Sequence, residues 1–356
     1  MTLVAIAGSG LAELTCARLL LARGHRVRPA PPPAGPAFRP LLLTGPALDL
    51  LGSLWGDELP RGGWWLTHRQ VRWGAGERSP RFPQRAYAVD GAALAARMRE
   101  LLDLGDGRAE PPGSGEPPEW TVTADAASGA VPGGSVLRQC GRRTLLAGTA
   151  PLRRGGDRTT ARLDCTELGW LQLTPLGGDH CLVQAMVPGP AADPAGLLAR
   201  VLAESPLAAL LSRPPRTAVA PAAAPRVHLA PAVPPGAPRA GGGRLVVGAG
   251  ALRQDPLSGT GTAQALRTAI LAAAVIDAAA RGVPVDALCA HYTTRLRVAH
   301  HDHLRTCLRL YESAFTADVW QDEIDTTRST LRGRGGVVPP RYGLSTDTVP
   351  AKKSVT

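Results

Sequence analysis

Three features of this 356-residue chain predict an α/β fold with an inserted antiparallel sheet and a C-terminal helical tail. A short apolar run, Leu3 to Ala7, ends at Gly8-Ser9-Gly10 and gives way to a helical pattern, the opening of a βαβ unit. Near the other end a buried strand, Leu245 to Gly248, meets a second glycine-rich loop and then a long helix from about Gly261 to Ala280. Between the two lie runs that alternate like strands rather than repeat like helices.

The elements follow in order. Leu11, Leu14, Ala17, Leu20 and Leu21 lie on one side of a first helix that stops at Gly24, and His25 to Arg28 make a short strand broken by Pro29. Residues 29–40 are rich enough in Pro and Ala to be an extended linker. Leu48, Leu50, Leu51 and Leu54 predict a helix, and residues 63–89 alternate as strands with Trp64, Trp65, Val71, Trp73, Tyr87 and Val89. Ala92 to Leu102 is an amphipathic helix. A Gly/Pro/Glu turn region over 103–119 precedes a strand from Trp120 to Ala124. Strand-like runs within 143–187 form the separate sheet, 213–240 is a further Pro/Ala stretch, and 286–328 is one or two helices. After Gly336 the chain is expected to be loosely ordered.

Composition removes several functions. Hydrophobic residues are 44% and charged residues 19%, so a core can form and the chain is not a disordered one. The apolar stretch Leu266 to Ala280 carries Arg267 and Asp277, and the N-terminus enters a strand without a basic leader, so neither a membrane span nor an export signal is expected. The six cysteines have no CxxC spacing and are expected to be reduced, in a cytoplasmic protein. Net charge is +11, but of 40 basic residues only Lys352 and Lys353 are lysines, and the arginines are dispersed. With aromatics at 4%, no basic stripe interleaved with stacking side chains exists, so no nucleic-acid partner is expected.

A glycine-rich strand-to-helix turn suits an anion. Gly8 permits the tight turn, Gly10 lets a pyrophosphate approach the backbone, and the helix beginning at Leu11 offers its N–H groups. Late in the chain, Gly248-Ala-Gly-Ala-Leu-Arg-Gln-Asp255-Pro256-Leu257-Ser258-Gly259-Thr260-Gly261 follows a strand and opens a helix. This stretch resembles the late motif of the flavin-dependent monooxygenase and halogenase superfamily. Weaker matches occur in the family's order: Arg72-Trp73-Gly74, Tyr87 to Leu94, Asp125 to Gly129, and Gly169-Trp170 through Pro175, where halogenases carry a Trp-x-Trp-x-Ile-Pro motif.

The resemblance implies a Rossmann-like FAD-binding domain with an intercalated antiparallel substrate-binding sheet. The implied division is 1–60 (first part of the FAD domain), 61–90 (first part of the substrate sheet), 91–135 (FAD domain), 136–240 (substrate sheet), 241–282 (FAD domain) and 283–356 (helices and tail). Implied cofactor-binding residues are Gly8, Gly10, Leu11, Gly248, Asp255, Pro256, Gly259, Thr260 and Gly261. FAD is the implied cofactor, with NAD(P)H or a separate flavin reductase as the electron source, and a small-molecule or peptide or protein substrate as the partner.

Departures from the family pattern bear on function. Glu13 stands where a third glycine is expected, strand two lacks its acid, Gly91 replaces an Arg, and Ala249 replaces the Asp of a Gly-Asp pair. Each removes a polar contact to FAD or adds a repulsion. At roughly 1–3 kcal/mol per charge-assisted hydrogen bond, three losses weaken binding about a thousandfold or more. Halogenation is disfavoured because halogenases use an active-site Lys, absent here before residue 352, and Gln172 stands at the second Trp of their motif.

The reading is therefore an FAD-dependent monooxygenase acting on an aromatic or peptide-bound substrate. The alternative is a flavoprotein fold that has lost FAD and serves as a binding or assembly partner, or as a non-redox enzyme. No catalytic residue is fixed by the sequence. His180, Trp170 and Gln172 are the candidates, against a turn histidine and core packing as the plain alternatives. Trp64 and Trp65 stand to the same test. His300 and His303 share a helical face, but without a second cluster no metal site is assigned.

Overall fold

The computed structural model describes residues 1–29, 40–56, 62–74, 79–103, 116–125, 136–215, 221–229 and 243–333. The expected linker at 29–40, the turn region at 103–119, residues 126–129 and the tail after Gly336 fall largely or wholly outside them.

Four strands form a parallel sheet: β1 (Leu3–Ile6), β2 (Arg26–Pro29), β6 (Trp120–Thr123) and β13 (Gly243–Val246), in the order β13-β6-β1-β2. Helices α1 (Leu11–Ala22) and α6 (Gly261–Ala280) pack on this sheet. On α6, Leu266, Ala269, Ala273 and Ile276 recur at three- and four-residue steps and are buried, so one stripe faces inward. Its small alanines let it lie close to α1, where Ala17 and Leu20 are buried in the same cluster.

A second sheet holds seven strands. They are β3 (Pro40–Thr44), β4 (Trp64–Arg72), β5 (Arg81–Asp90), β8 (Arg143–Pro151), β9 (Thr160–Cys165), β10 (Trp170–Pro175) and β11 (His180–Pro188), ordered β3-β5-β4-β9-β10-β11-β8. The expected antiparallel sheet is present, with one parallel pair within it: β4 and β9. A parallel pair needs a long crossover, and the chain supplies one by returning to the first sheet between them. That return runs through α3 (Gly91–Asp103) and β6. A small third sheet, β14-β12-β7, joins β7 (Val136–Gln139), β12 (Arg226–Leu229) and β14 (Leu252–Arg253).

The remaining helices are α2 (Gly45–Trp55), α4 (Pro194–Ala203), the short α5 (Gly248–Ala251), α7 (Val285–Ala314) and α8 (Asp318–Arg332). The expected helical tail is thus two helices, meeting at an aromatic cluster of Tyr311, Phe315 and Trp320 in which Phe315 stacks on Trp320 at 4.2 Å. The strands β3, β7 and β12 and the helix α4 have no counterpart in the sequence expectation.

Candidate functional site

The two glycine-rich loops lie at the N-termini of neighbouring helices. Gly248 stands 3.1 Å, as measured from an added Cβ, from the Ala12 methyl, and Leu14 of α1 shares a buried cluster with Ala263 and Leu266 of α6. The sequence-predicted residues Gly8, Gly10 and Leu11 in the first loop and Gly248, Asp255, Pro256, Gly259, Thr260 and Gly261 in the second therefore belong to one region of the fold.

The first loop is occupied from within. Glu13 is buried, and one of its carboxylate oxygens accepts a hydrogen bond from the Ala124 N–H at the end of β6, at 2.8 Å. N–H groups of Gly10 and of Glu13 itself also point to the carboxylate. A Cβ on Gly8 would lie 2.1 Å from one carboxylate oxygen and a Cβ on Gly10 2.7 Å from the other. Burial pushes the Glu13 carboxyl above its ordinary range, while the N–H bonds from Ala124, Glu13 and Gly10 pull it back. Helix α1 has no side-chain cap at Gly10, so the third helical residue supplies the acceptor instead, half of a capping box.

The second loop keeps its backbone shape, but its acid is turned away. Pro256 to Ser258 form one tight helical turn that closes on Gly259, whose φ of 62° is the left-handed conformation that favours glycine. The Asp255 carboxylate accepts from the Leu257 N–H at 3.0 Å, from Arg143 at 2.9 Å, and from the Tyr311 hydroxyl. Arg143 is wholly buried, donates to Glu323 at 2.8 Å and to Thr327 at 3.2 Å, and lies over the Tyr311 ring at 4.8 Å. Burial works against the Arg143 charge, but Tyr311, Asp255, Cys307 and Glu323 outweigh it and hold the guanidinium well above its ordinary value.

His303 completes this network. Its Nε2 accepts the Asp255 N–H at 2.8 Å, which puts the ring proton on Nδ1. Burial draws the imidazole down to about 4; the Arg143 charge adds to this, and the Asp255 charge opposes it. The His300-to-His303 face is thus a buried packing face, and among the described residues no cluster of three metal-ligating side chains occurs.

The other members of the second loop brace it. Gly248, at φ 61°, donates its N–H to Thr268 at 2.8 Å. Thr260 donates to Gln254 at 2.7 Å, and Thr44 donates to the Gly259 carbonyl at 3.2 Å. Ala249 is exposed on α5, where the family pattern expects a carboxylate. At Gly91, where the pattern expects Arg, Asp90 caps α3 through the Ala92 N–H at 2.7 Å. At strand two, Arg26 pairs with Glu116 at 2.8 Å, and no acid stands on the strand itself.

The candidate catalytic residues are scattered. Trp170 is 1% exposed and packs among Met186, Tyr311 and Trp320 in the core. Gln172 donates to Thr174 at 3.0 Å within its own strand, and His180 is exposed where β11 begins. Trp64 donates to the Arg158 carbonyl at 2.7 Å. Trp65, by contrast, is 41% exposed, lies against Tyr87 at 4.7 Å and carries the Arg85 guanidinium over its ring at 4.3 Å. It lines an open pocket of about 430 Å³ on β4 and β5 with Leu66, Thr67, Pro83, Gln84 and Arg85.

The chain matches no known family by sequence profile, and no curated protein matches it in sequence. Its fold does match solved structures. The flavin-dependent halogenase CmlS is 16% identical with a TM-score of 0.71, covering 94% of this chain and 70% of CmlS. The peptidyl tryptophan dihydroxylase QhpG, essential for tryptophylquinone cofactor biogenesis, is 17% identical at 0.68, covering 90% of this chain and 78% of QhpG. Klebsiella pneumoniae HpxO, solved with FAD and uric acid, is 15% identical at 0.64, covering 93% and 95%. The fold is therefore that of the flavin-dependent halogenases and FAD-dependent monooxygenases: a Rossmann-type parallel sheet with an intercalated mixed sheet and a helical C-terminus.

The fit of FAD to these residues divides at Glu13. Both loops have the glycine backbone that a dinucleotide needs, with no Cβ at Gly8, Gly10 or Gly261 to fill it. The Glu13 carboxylate lies in the first of them, its oxygens 2.1 Å and 2.7 Å from where a Cβ on Gly8 or Gly10 would stand, so that loop is filled by the chain's own side chain.

Proposed function

We propose that the protein is a flavin-dependent oxidoreductase of the monooxygenase kind, acting on an aromatic or peptide-bound substrate. The observation that carries this reading is the pair of glycine-lined loops at the N-termini of α1 and α6, set in a fold that matches flavin enzymes over nine-tenths of the chain. Bound FAD would supply the activation of O₂, with electrons from NAD(P)H or from a separate flavin reductase. The chain's own part is then to hold the cofactor along α1 and α6 and to position the substrate. Trp65, with Arg85 across its face, offers a surface on which a flat substrate can stack. The lack of any Lys before residue 352 speaks against halogenation.

A second reading has a specific observation in its favour. The Glu13 carboxylate stands in the first loop, and the Asp255 carboxylate is spent inside the core. Both are as expected of a chain that has given up FAD and serves as a binding or assembly partner or a non-redox enzyme. Titration of purified, flavin-stripped protein with FAD, followed by fluorescence quenching, separates the two. Saturation in the micromolar range supports the oxidoreductase and leads to O₂ consumption with a reductase present. Absence of saturation up to millimolar FAD favours the second reading.

A further inference from the structure

The residue at position 13 does more than spoil a fingerprint. In the first turn of a helix the N–H groups are without partners and the dipole favours a negative charge. Anions of ligands are received there in many nucleotide-binding folds. Here the chain brings its own anion to the place. The Glu13 carboxylate is buried, accepts the N–H of Ala124 just beyond β6 and faces the N–H groups of Gly10 and Glu13 where α1 begins, and so bridges the two elements that border the loop. The glycines at 8 and 10 have a use that involves no cofactor: side chains at either place would collide with the carboxylate oxygens.

We propose that Glu13 is the resident anion of this seat, and that a nucleotide diphosphate, the FAD pyrophosphate included, enters only by displacing the Glu13 carboxylate. This rests on the proposed nucleotide site but deepens it, because it names the side chain that sets the affinity. A phosphate oxygen and the carboxylate compete for the same N–H groups. An incoming pyrophosphate must break the bond to Ala124 and turn the acid toward solvent. The loss is paid at every binding event, so the native chain binds weakly even if the remainder of the site is intact.

The test uses the full chain, its Glu13→Ala and Glu13→Gln variants, and two probes, ADP and FAD, titrated by calorimetry. ADP carries the diphosphate without the flavin. Glu13→Ala is expected to bind ADP about tenfold or more tightly than the native chain, a difference of about 1.4 kcal/mol. Glu13→Gln keeps an oxygen for the Ala124 N–H but removes the charge, and is expected to fall between them. Equal ADP affinity in all three chains overturns the proposal. If Glu13→Ala does not fold, as its melting curve would reveal, the comparison passes to Glu13→Gln. There a gain of about threefold supports the proposal and no gain overturns it. FAD separates this inference from the flavin reading. Tighter ADP with no FAD binding in any chain upholds the role of Glu13 and removes the flavin. Native FAD binding as tight as that of Glu13→Ala removes the role of Glu13 and leaves the flavin.

Discussion

The two loops of the site have kept the same backbone device and put it to opposite uses. In the first, Gly8 to Glu13, the Glu13 side chain turns into the loop and its carboxylate takes up the N–H of Ala124 and faces those of Gly10 and Glu13. In the second, Asp255 to Gly261, the pattern is intact, yet its carboxylate faces the core and binds Arg143 and Tyr311. A departure from a motif can therefore be well accommodated, and a retained motif residue can owe its place to packing. Asp255 is needed wherever α7 and α8 are held against the late loop, with or without a flavin. Its presence does not by itself weigh for the cofactor.

The sharpest way to break this comparison is at Arg143. The guanidinium is buried between two carboxylates, Asp255 and Glu323, which pair with no other cation among the described residues. Replacing it with methionine fills the volume but leaves both charges stranded. Loss of one partner from such a buried group costs about 3–5 kcal/mol. Urea unfolding of Arg143→Met should show a loss of that size. A loss below about 1 kcal/mol would mean that the second loop is not locked by this network.

Next in size is a dependence on pH. In the folded chain His303 is neutral down to about 4, against an ordinary value of 6.5. Between those values the unfolded chain takes up a proton that the folded chain refuses, so stability present above pH 6.5 is lost as pH falls toward 4. The full difference corresponds to about 3 kcal/mol. His303→Gln retains an oxygen for the Asp255 N–H and should flatten the profile in this window. Asp157, held down to about 2 by its bonds to Thr160 and Thr159 against the cost of burial, acts only at more acid pH, whereas His228, lowered by burial and by Arg244 and Arg226, shares the window and is left unchanged in His303→Gln. An unchanged profile in His303→Gln would place the pH dependence elsewhere.

What could be read in the sequence was local. The βαβ opening and the helix from Gly261 to Ala280 are bounded by glycines and carry a clear helical period, and both stand where expected. Strand β12 was hidden because Arg226 to Leu229 is only four residues long inside a Pro/Ala-rich run, too short for a period of two to emerge. Helix α4 did leave a signal, Asp193 followed by Pro194 at the first helical position, with the aspartate accepting from the Gly196 N–H. The lock on Asp255 left none. Arg143 is 112 residues away from Asp255 and 180 from Glu323, so no spacing rule could join them. For Glu13 the sequence indicated a misfit at the right position. It could not indicate that the Ala124 N–H, 111 residues on, would receive the charge.

The smallest effects separate bracing from chemistry within the second loop and the intercalated sheet. Thr260 donates its one hydroxyl proton to Gln254 and can only accept from the Ser258 hydroxyl, 2.8 Å away, so its hydroxyl is already committed. Thr260→Val should lower stability by about 1 kcal/mol, the net worth of one such bond, and a melting curve is sufficient to see it. His180 is exposed at the start of β11, with no hydrogen bond from its ring to a neighbour among the described residues. His180→Ala should therefore change stability by no more than about 0.5 kcal/mol. If it nonetheless abolished turnover in a reconstituted assay while Thr260→Val did not, the chemistry would lie on the sheet at His180, and the comparison of the two loops would describe only how the fold is held together.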